Sequence, residues 1–335
     1  MAGASPTPHL SAVRPAWAIS GGRLTIEGHG FDLETLPDVR IGDRSARIVF
    51  ASPRELTVLV PDGVTAGRAR IQVGTAATAA TEVELGAPVA RGLHQVDSPV
   101  LDRAGNLYVT YSGTRGEPAP VAIFRVGVDG SREPFASGIS NPTSMAFDPS
   151  GDLFVSSRFE GKVYRVSPQG QVDVAVSELG VASGIAFDAG GTLFVGDRSG
   201  TIFRVDGAGH TAVHASLPAS IAAYHLAAGP DGALYVTAPT LSSSDALYRV
   251  DADGAVDVMQ IGFGRPQGLA FDPHGTLYVV DALAGAAGLY AVARNAPPML
   301  VLAAPALIGV AFGPDGAVIV ASNDTAYRLM PPARP

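Results

Sequence analysis

Six copies of one eight-residue phrase constrain this chain more than any other feature. Asp102-Arg-Ala-Gly105-Asn-Leu-Tyr-Val109 returns as Asp148-Pro-Ser-Gly151-Asp-Leu-Phe-Val155 and as Asp188-Ala-Gly-Gly191-Thr-Leu-Phe-Val195. It returns again as Gly229-Pro-Asp-Gly232-Ala-Leu-Tyr-Val236, Asp272-Pro-His-Gly275-Thr-Leu-Tyr-Val279 and Gly313-Pro-Asp-Gly316-Ala-Val-Ile-Val320. The glycines at 105, 151, 191, 232, 275 and 316 stand 46, 40, 41, 43 and 41 residues apart. A spacing of about 40–45 residues, built of strands and turns, is that of a propeller blade.

Each copy carries its own folding instructions. An apolar run ends at the phrase, a Gly-containing turn reverses the chain, and an alternating Leu-(Tyr/Phe)-Val strand leaves it. A first strand precedes the phrase, as in Ser144-Met-Ala-Phe147, Gly184-Ile-Ala-Phe187 and Gly268-Leu-Ala-Phe271. A third strand follows with an aromatic and an arginine, as in Ile123-Phe-Arg-Val126, Val163-Tyr-Arg-Val166, Ile202-Phe-Arg-Val205 and Leu247-Tyr-Arg-Val250. A polar Gly turn then leads to a fourth. Four antiparallel strands in each of six repeats predict a six-bladed β-propeller.

Composition agrees and excludes several functions. With 40 Gly and 26 Pro and only 16% charged residues, the chain reads as a turn-rich all-β protein. A net charge of −8 argues against nucleic acid as a partner. Cysteine is absent, so disulfides and thiol chemistry are excluded. No apolar run is long enough to span a bilayer, and the N-terminus lacks a basic start followed by an apolar core, so neither a transmembrane segment nor an export signal is read.

Residues 1–9 read as a disordered lead, and 10–85 follow a different pattern from the repeats. Short strands are expected near Leu24–Ile26, Val39–Ile41, Ala46–Phe50, Leu56–Val60, Ala69–Val73 and Thr81–Leu85, a spacing that suits a small β-sandwich. Pro15, Gly21-Gly22-x-Leu24-x-Ile26-x-Gly28-x-Gly30-Phe31, Val39-x-Ile41-Gly42 and Leu56-x-Val58-x-Val60-Pro61 together resemble the IPT/TIG domain, which implies an immunoglobulin-like fold over nearly the whole segment. These positions are turn glycines and core residues, so they report fold and little chemistry. Trp17, the one tryptophan, reads as a local packing anchor ahead of a binding aromatic.

Residues 86–335 are expected to form the propeller. The stretch 89–102 aligns without a gap on 135–148, which spans the fourth strand of one blade and the first of the next. At the other end, Thr325–Met330 is a third strand with no fourth after it. A strand near 87–90 is therefore expected to complete the last blade and remove two open edges at once. The shared Pro-x-x-(Gly/Ser)-(Leu/Met)-Ala-Phe-Asp and Gly-x-Leu-(Tyr/Phe)-Val elements resemble NHL-repeat propellers and, more distantly, the gluconolactonase/senescence-marker propellers. The likeness covers roughly residues 90–330; it implies blade architecture and, by family alone, an extracytoplasmic setting, while the sequence leaves the compartment open.

Chemistry is expected on the face that holds the loops between blades. Aligning the copies puts Asp97, Thr143, Ser183, Tyr224, Gln267 and Ile308 at one axial position. In the gluconolactonase-like family, carboxylate and amide side chains from comparable positions hold a divalent metal, so the resemblance implies Asp97 as a ligand for calcium or zinc. Ser183 and Gln267 are poor stand-ins for the others, because a hard cation wants several charged or strongly polar oxygens. Asp197 and Asp281 occupy the Val-x-Asp position of NHL-type blades, where an aspartate often ties down loop backbone. A single-face ligand set follows: His94, Asp97, Asn141, Arg158, Asp197, His225, Gln267 and Asp281. Its mixed character suits a polar, neutral or weakly cationic molecule better than a nucleotide. Long loops at Tyr111–Pro120 and Pro239–Asp245 add to the same side. The reading that results is a binding or scaffold protein for a polar small molecule or a protein partner. The alternative is a metal-dependent lactone hydrolase with a degenerate metal site.

Overall fold

A computed structural model describes residues 8–74, 76–282 and 286–330. Residues 1–7 of the expected lead lie outside the described residues, and His9 already belongs to the first strand. The described residues form strands, turns and loops with no helix, so none of them is a helix long and apolar enough to cross a membrane.

The fold is an immunoglobulin-like sandwich followed by a six-bladed propeller. One sandwich sheet runs in the order His9–Arg14, Arg23–His29, Glu55–Leu59, Arg47–Ala51. The other runs Trp17–Ala18, Ala76–Leu85, Gly67–Val73, Val39–Ile41, Arg44–Ser45. Alternate residues of the two sheets point inward, so Leu24, Ile26, Ile41, Leu56, Val58, Ile71 and Val73 are buried in one core.

Five blades are local four-stranded meanders. The second, for example, is Pro142–Phe147, Leu153–Ser157, Lys162–Val166 and Val172–Val176. The sixth takes Leu307–Phe312, Val318–Ser322 and Ala326–Leu329 from the C-terminus and its fourth strand, Ala87–Ala90, from the sandwich end of the chain. In that ladder Ala87 pairs with Arg328, Pro88 with Tyr327 and Ala90 with Ala326. First strands touch their neighbours in turn, and Val100–Leu101 touches Leu307–Phe312, which closes the ring.

The repeated phrase explains the turns and the blade-to-blade packing. The Asp102, Asp148, Asp188 and Asp272 carboxylates each accept the backbone N–H four residues on, at 2.8–2.9 Å. The glycine between adopts a left-handed φ, +84° at Gly105 and +96° at Gly151, where a side chain would be strained. The aromatic of each Leu-(Tyr/Phe)-Val strand then meets the phenylalanine ending the next blade's first strand. Tyr108–Phe147, Phe154–Phe187, Tyr235–Phe271 and Tyr278–Phe312 have ring centroids 4.9–5.3 Å apart. The series lapses where Ala228 and Leu101 replace phenylalanine.

The repeated arginines lie on the outer strands, and all but the exposed Arg204 find carboxylates there. Arg125 pairs with Glu133, Arg165 with Asp152, Arg249 with Asp231 at 2.8 Å, and Arg328 with Asp315. Their side chains retain solvent contact, so a row of like charges is neutralised at little cost.

Sandwich and propeller share one sheet, a joint the repeat pattern does not announce. Trp17–Ala18 lies between Leu302–Ala303, the outer edge of the fifth blade, and Glu84–Leu85 of the sandwich, parallel to both. Ile19 N–H donates to the Ala303 carbonyl at 3.1 Å, and Ala303 is itself part of the sandwich core. Trp17 packs against the cluster between the fifth and sixth blades, with its indole N–H buried and unpartnered, so it is a packing anchor of this joint. The contact covers a sheet edge that would otherwise be open.

Closure leaves almost no room where the sixth blade meets the first. A Cβ on Gly309 would stand 2.4 Å from the Ser98 Cα, a clash with backbone. Gly309→Ala is therefore expected to cost about 1–3 kcal/mol in urea denaturation. Gly207→Ala, where a Cβ would meet nothing within 4 Å, is expected to leave stability within about 0.5 kcal/mol of the parent.

Candidate functional site

Antiparallel meanders place all connections of one kind on the same side of the ring. The Gly turns of the repeated phrase lie on one face, the turn face. The loops between blades, together with those following each second strand, lie on the other, the loop face. The eight residues expected to share a ligand belong to the loop side, but they do not converge on one place.

Asp97 and His225 meet on the axis. His225 Nδ1 lies 2.6 Å from Asp97 Oδ1, with both side chains buried. Asp97 precedes the first strand of the first blade and His225 opens that of the fourth, which stands opposite in a ring of six. The hydrogen bond therefore crosses the channel. With Asp97 ionised, the ring nitrogen donates, and Oδ1 also accepts the Ser98 N–H at 2.6 Å. His225 Nε2 is left buried without a partner. Beneath the pair a cavity of about 310 Å³ runs toward the turn face, lined by Asp97, Ser98, Ser144, Phe147, Phe187 and Phe312. The axial channel thus opens on the turn side and reaches Asp97.

Calcium or zinc at Asp97 does not fit these residues. One Asp97 oxygen is already shared by a backbone N–H and an imidazole, and the described residues hold no group of three or more His, Cys, Asp or Glu suited to a metal. Thr143 and Ser183, aligned with Asp97, are buried and bonded to the chain, Thr143 to the Asn141 carbonyl and Ser183 to the Gly196 carbonyl. Tyr224 is fully buried among residues of the third and fourth blades, including Ile202, Leu217 and Val236, so it does not plug the axis. Gln267 is half-buried, and its carbonyl accepts the Thr237 hydroxyl at 2.5 Å. His94 is half-buried and sets its ring edge-on to Tyr111, 6.2 Å between centroids.

Three of the expected residues are loop ties. The Asn141 amide donates to the Ser112 and Thr114 carbonyls at 2.7 and 3.0 Å and accepts Gly116 N–H at 2.7 Å, so it shapes the long 111–120 loop. Asp197 accepts Val181 N–H at 2.7 Å and the Ser199 hydroxyl. Asp281 accepts Gly264 and Arg265 N–H at 2.9 and 2.7 Å. Each carboxylate fixes the loop that enters its own blade, the structural duty its position in the repeat suggested.

Asn141, Arg158 and Asp197 nevertheless line one recess. It is a loop-face pocket of about 890 Å³ over the first three blades, and Arg115, Phe159 and Arg198 complete its walls. Burial, followed by the nearby Arg115 and Arg198, lowers the Arg158 guanidinium pKa from its ordinary value. The pocket is richer in positive charge than a neutral or cationic ligand would favour. Phe159 and Arg115 were missed in the sequence. The readable signal was the arginine recurring directly after the second strand in successive repeats, Ser157-Arg158 and Asp197-Arg198.

The cross-axis bond should be measurable as an energetic coupling. Asp97→Ala and His225→Ala, compared singly and together, are expected to show a coupling of about 1–3 kcal/mol in a double-mutant cycle of unfolding free energies. Additivity within about 0.5 kcal/mol would mean that the pair does not act as a unit.

Comparison with known proteins places the two parts. Residues 8–84 match the IPT/TIG domain. No curated protein matches the chain. Among solved structures, an auxiliary nutrient binding protein from Bacteroides ovatus is similar over 98% of this chain and 98% of its own, with a TM-score of 0.56 at 13% identity. A gluconolactonase from Xanthomonas campestris is similar over 73% of this chain and 88% of its own, with a TM-score of 0.61 at 15% identity. Virginiamycin B lyase from Staphylococcus aureus is similar over 99% of this chain and 97% of its own, with a TM-score of 0.52 at 14% identity. At these identities the likeness is one of fold: an IPT/TIG domain joined to a propeller of the kind shared by binding proteins and enzymes.

Proposed function

We propose that this chain is a binding protein whose propeller holds a polar small molecule in the loop-face pocket over the first three blades. In this reading residues 10–85 are the IPT/TIG-like sandwich, 86–335 are the propeller, and Ala87–Ala90 belong to the propeller. The observation that carries the proposal is the pocket itself. It is a recess of about 890 Å³ whose shape is set by side chains, Asn141 and Asp197, whose polar atoms are bonded to loop backbone. Such prior fixing lowers the ordering cost of binding. A volume of this size suits a molecule of sugar to drug size.

The alternative, a metal-dependent lactone hydrolase, has less support. It needs several oxygen ligands around one cation, and Asp97 stands alone with its carboxylate bonded to His225. Likeness of fold to a gluconolactonase does not carry the activity across.

The absence of cysteine makes a direct test simple. An environment-sensitive fluorophore on Ala219→Cys reports the pocket, since Ala219 is exposed at its wall. The same label on Ala189→Cys reports the turn-side mouth of the channel. Titration with a panel of sugars, sugar acids, amino acids and nucleotides is expected to give at least one saturable response at Ala219→Cys and none at Ala189→Cys. A response confined to Ala189→Cys, or none at Ala219→Cys, would count against the proposal. Hydrolysis of glucono-1,5-lactone abolished by both EDTA and Asp97→Ala would favour the enzyme instead.

A further inference from the structure

Three arginines from three different loops meet at this pocket, where Asp197 is the one carboxylate of the lining. Arg158 and Arg198 each follow the second strand of their blade, Leu153–Ser157 and Leu193–Asp197, so the repeat itself brings both to the loop face. Arg115 comes from the 111–120 loop, the equivalent connection of the first blade, which is longer than those that carry Arg158 and Arg198. That loop is tied at its ends by Tyr111 N–H to the Ala122 carbonyl and the Ser137 hydroxyl to the Pro120 carbonyl, and at its centre by Asn141, whose amide gathers Ser112, Thr114 and Gly116. Asn141 holds a left-handed φ of 47° to do so. Gly116 completes the fit, because a Cβ there would stand 2.8 Å from the Phe159 ring. Phe159 therefore lies against the loop while remaining 53% exposed at the pocket wall.

The charges around the recess are unbalanced. Arg115, Arg158 and Arg198 make no ion pair and no side-chain hydrogen bond among the described residues, whereas Arg125, Arg165, Arg249 and Arg328 on the outer strands each have an acid. Asp197 is the one acid of the lining, and both its oxygens are engaged, by Val181 N–H and by the Ser199 hydroxyl. Glu160, the acid two residues beyond Arg158, accepts from Tyr164 at 2.9 Å and faces Lys162 at 3.6 Å. Glu117 and Glu178, on the neighbouring loops, are exposed and outside the lining. A lone surface arginine is solvated at no cost. Three around one recess repel one another, and the half-buried Arg158 has also lost part of its water. This concentration of positive charge stands on a chain of net charge −8, so it is a local feature and not a general bias.

We propose that the pocket binds an organic anion of sugar-acid size, its carboxylate or phosphate held by Arg115, Arg158 and Arg198 and its ring set beside Phe159. The inference rests on the reading of this pocket as the binding site and adds the charge of what it takes. Guanidinium groups present paired N–H donors that match the oxygens of either anion, and neutralising three of them relieves the repulsion that the empty recess bears. An apolar sugar face or planar ring gains contact with the exposed side of Phe159. Binding should weaken as salt rises, since two of the arginines are open to solvent.

The test is a set of titrations at constant ionic strength with D-glucuronate, D-glucose 6-phosphate and neutral D-glucose, read both by the Ala219→Cys label and by calorimetry on the unlabelled protein. At least one anion is expected to saturate with a Kd ten-fold or more below that of glucose; which of the two does so tells carboxylate from phosphate. Combining Arg158→Gln with Arg198→Gln should raise that Kd at least ten-fold. Arg115→Gln, on an exposed loop and so safe for folding, should raise it about three- to five-fold. Arg204→Gln, on an outer strand, should change nothing. Glucose binding as well as the anions, anion binding unaffected by the arginine variants, or no saturable binding of either anion would each overturn the inference. The first of these, with a response still seen at Ala219→Cys, would leave the binding function standing and remove only its anionic character. Silence of that label toward every compound of the wider panel would remove both.

Discussion

The pairing of Ala87–Ala90 with Ala326–Leu329 is the contact on which the rest of the molecule depends. It joins strands more than two hundred residues apart in sequence and turns a row of meanders into a ring. Without it the sixth blade would expose the edge of Ala326–Leu329, and the packing of first against sixth blade, Leu107 and Val109 with Ala311 and Ile319, would have to hold the ring shut alone. The same pairing fixes the sandwich. The strand Ala76–Leu85 ends one residue before the closing strand begins, and Gly86, the residue between, has no room for a side chain beside Ile19 and Leu329. The sandwich must therefore leave the ring at a set angle. Its short Trp17–Ala18 strand then reaches the outer edge of the fifth blade, the next blade round.

A closed ring also decides where function can reside. Opposite blades bring Asp97 and His225 across the axis, where a hydrogen bond joins them. That bond occupies Oδ1 of Asp97 at the centre of the ring. What is left on the loop face is the off-axis recess over the first three blades, whose walls are loops tied by Asn141 and Asp197. Rigid blades supply the frame and irregular loops the chemistry, as is usual where repeats carry a site.

Much of the fold was legible because each repeat is locally consistent. Asp and Gly fix the turn, the Leu-(Tyr/Phe)-Val alternation fixes the strand, and the aromatic at its centre finds the next blade's phenylalanine. The missing fourth strand after Thr325–Met330 and the gapless match at 89–102 could be read together as a closing strand. The joint between sandwich and fifth blade could not, since it rests on two residues, Trp17 and Ala18, too short a stretch to show a period. The cross-axis bond was hidden for a different reason. His225 falls one column after Asp97 in the alignment of repeats, and only the geometry of six blades sets the two face to face. In the pocket, Arg158 and Asp197 stood out by their place in the repeat. Arg115 did not, because it lies within the extra length of the 111–120 loop, where no column of the repeat aligns, and Asn141, chosen as a ligand contact, shapes that loop. Side chains whose partners lie within a repeat were readable, and those whose partners lie across the ring or in an insertion were not.

Amide hydrogen exchange under mild denaturant tests the closure most directly. If the ring is shut by the borrowed strand, the hydrogen-bonded amides of 87–90 and 326–329 will open together, with the opening free energy of the propeller as a whole. Opening of 87–90 together with the sandwich strands, while 326–329 remain protected, would contradict it and would place the strand with the sandwich.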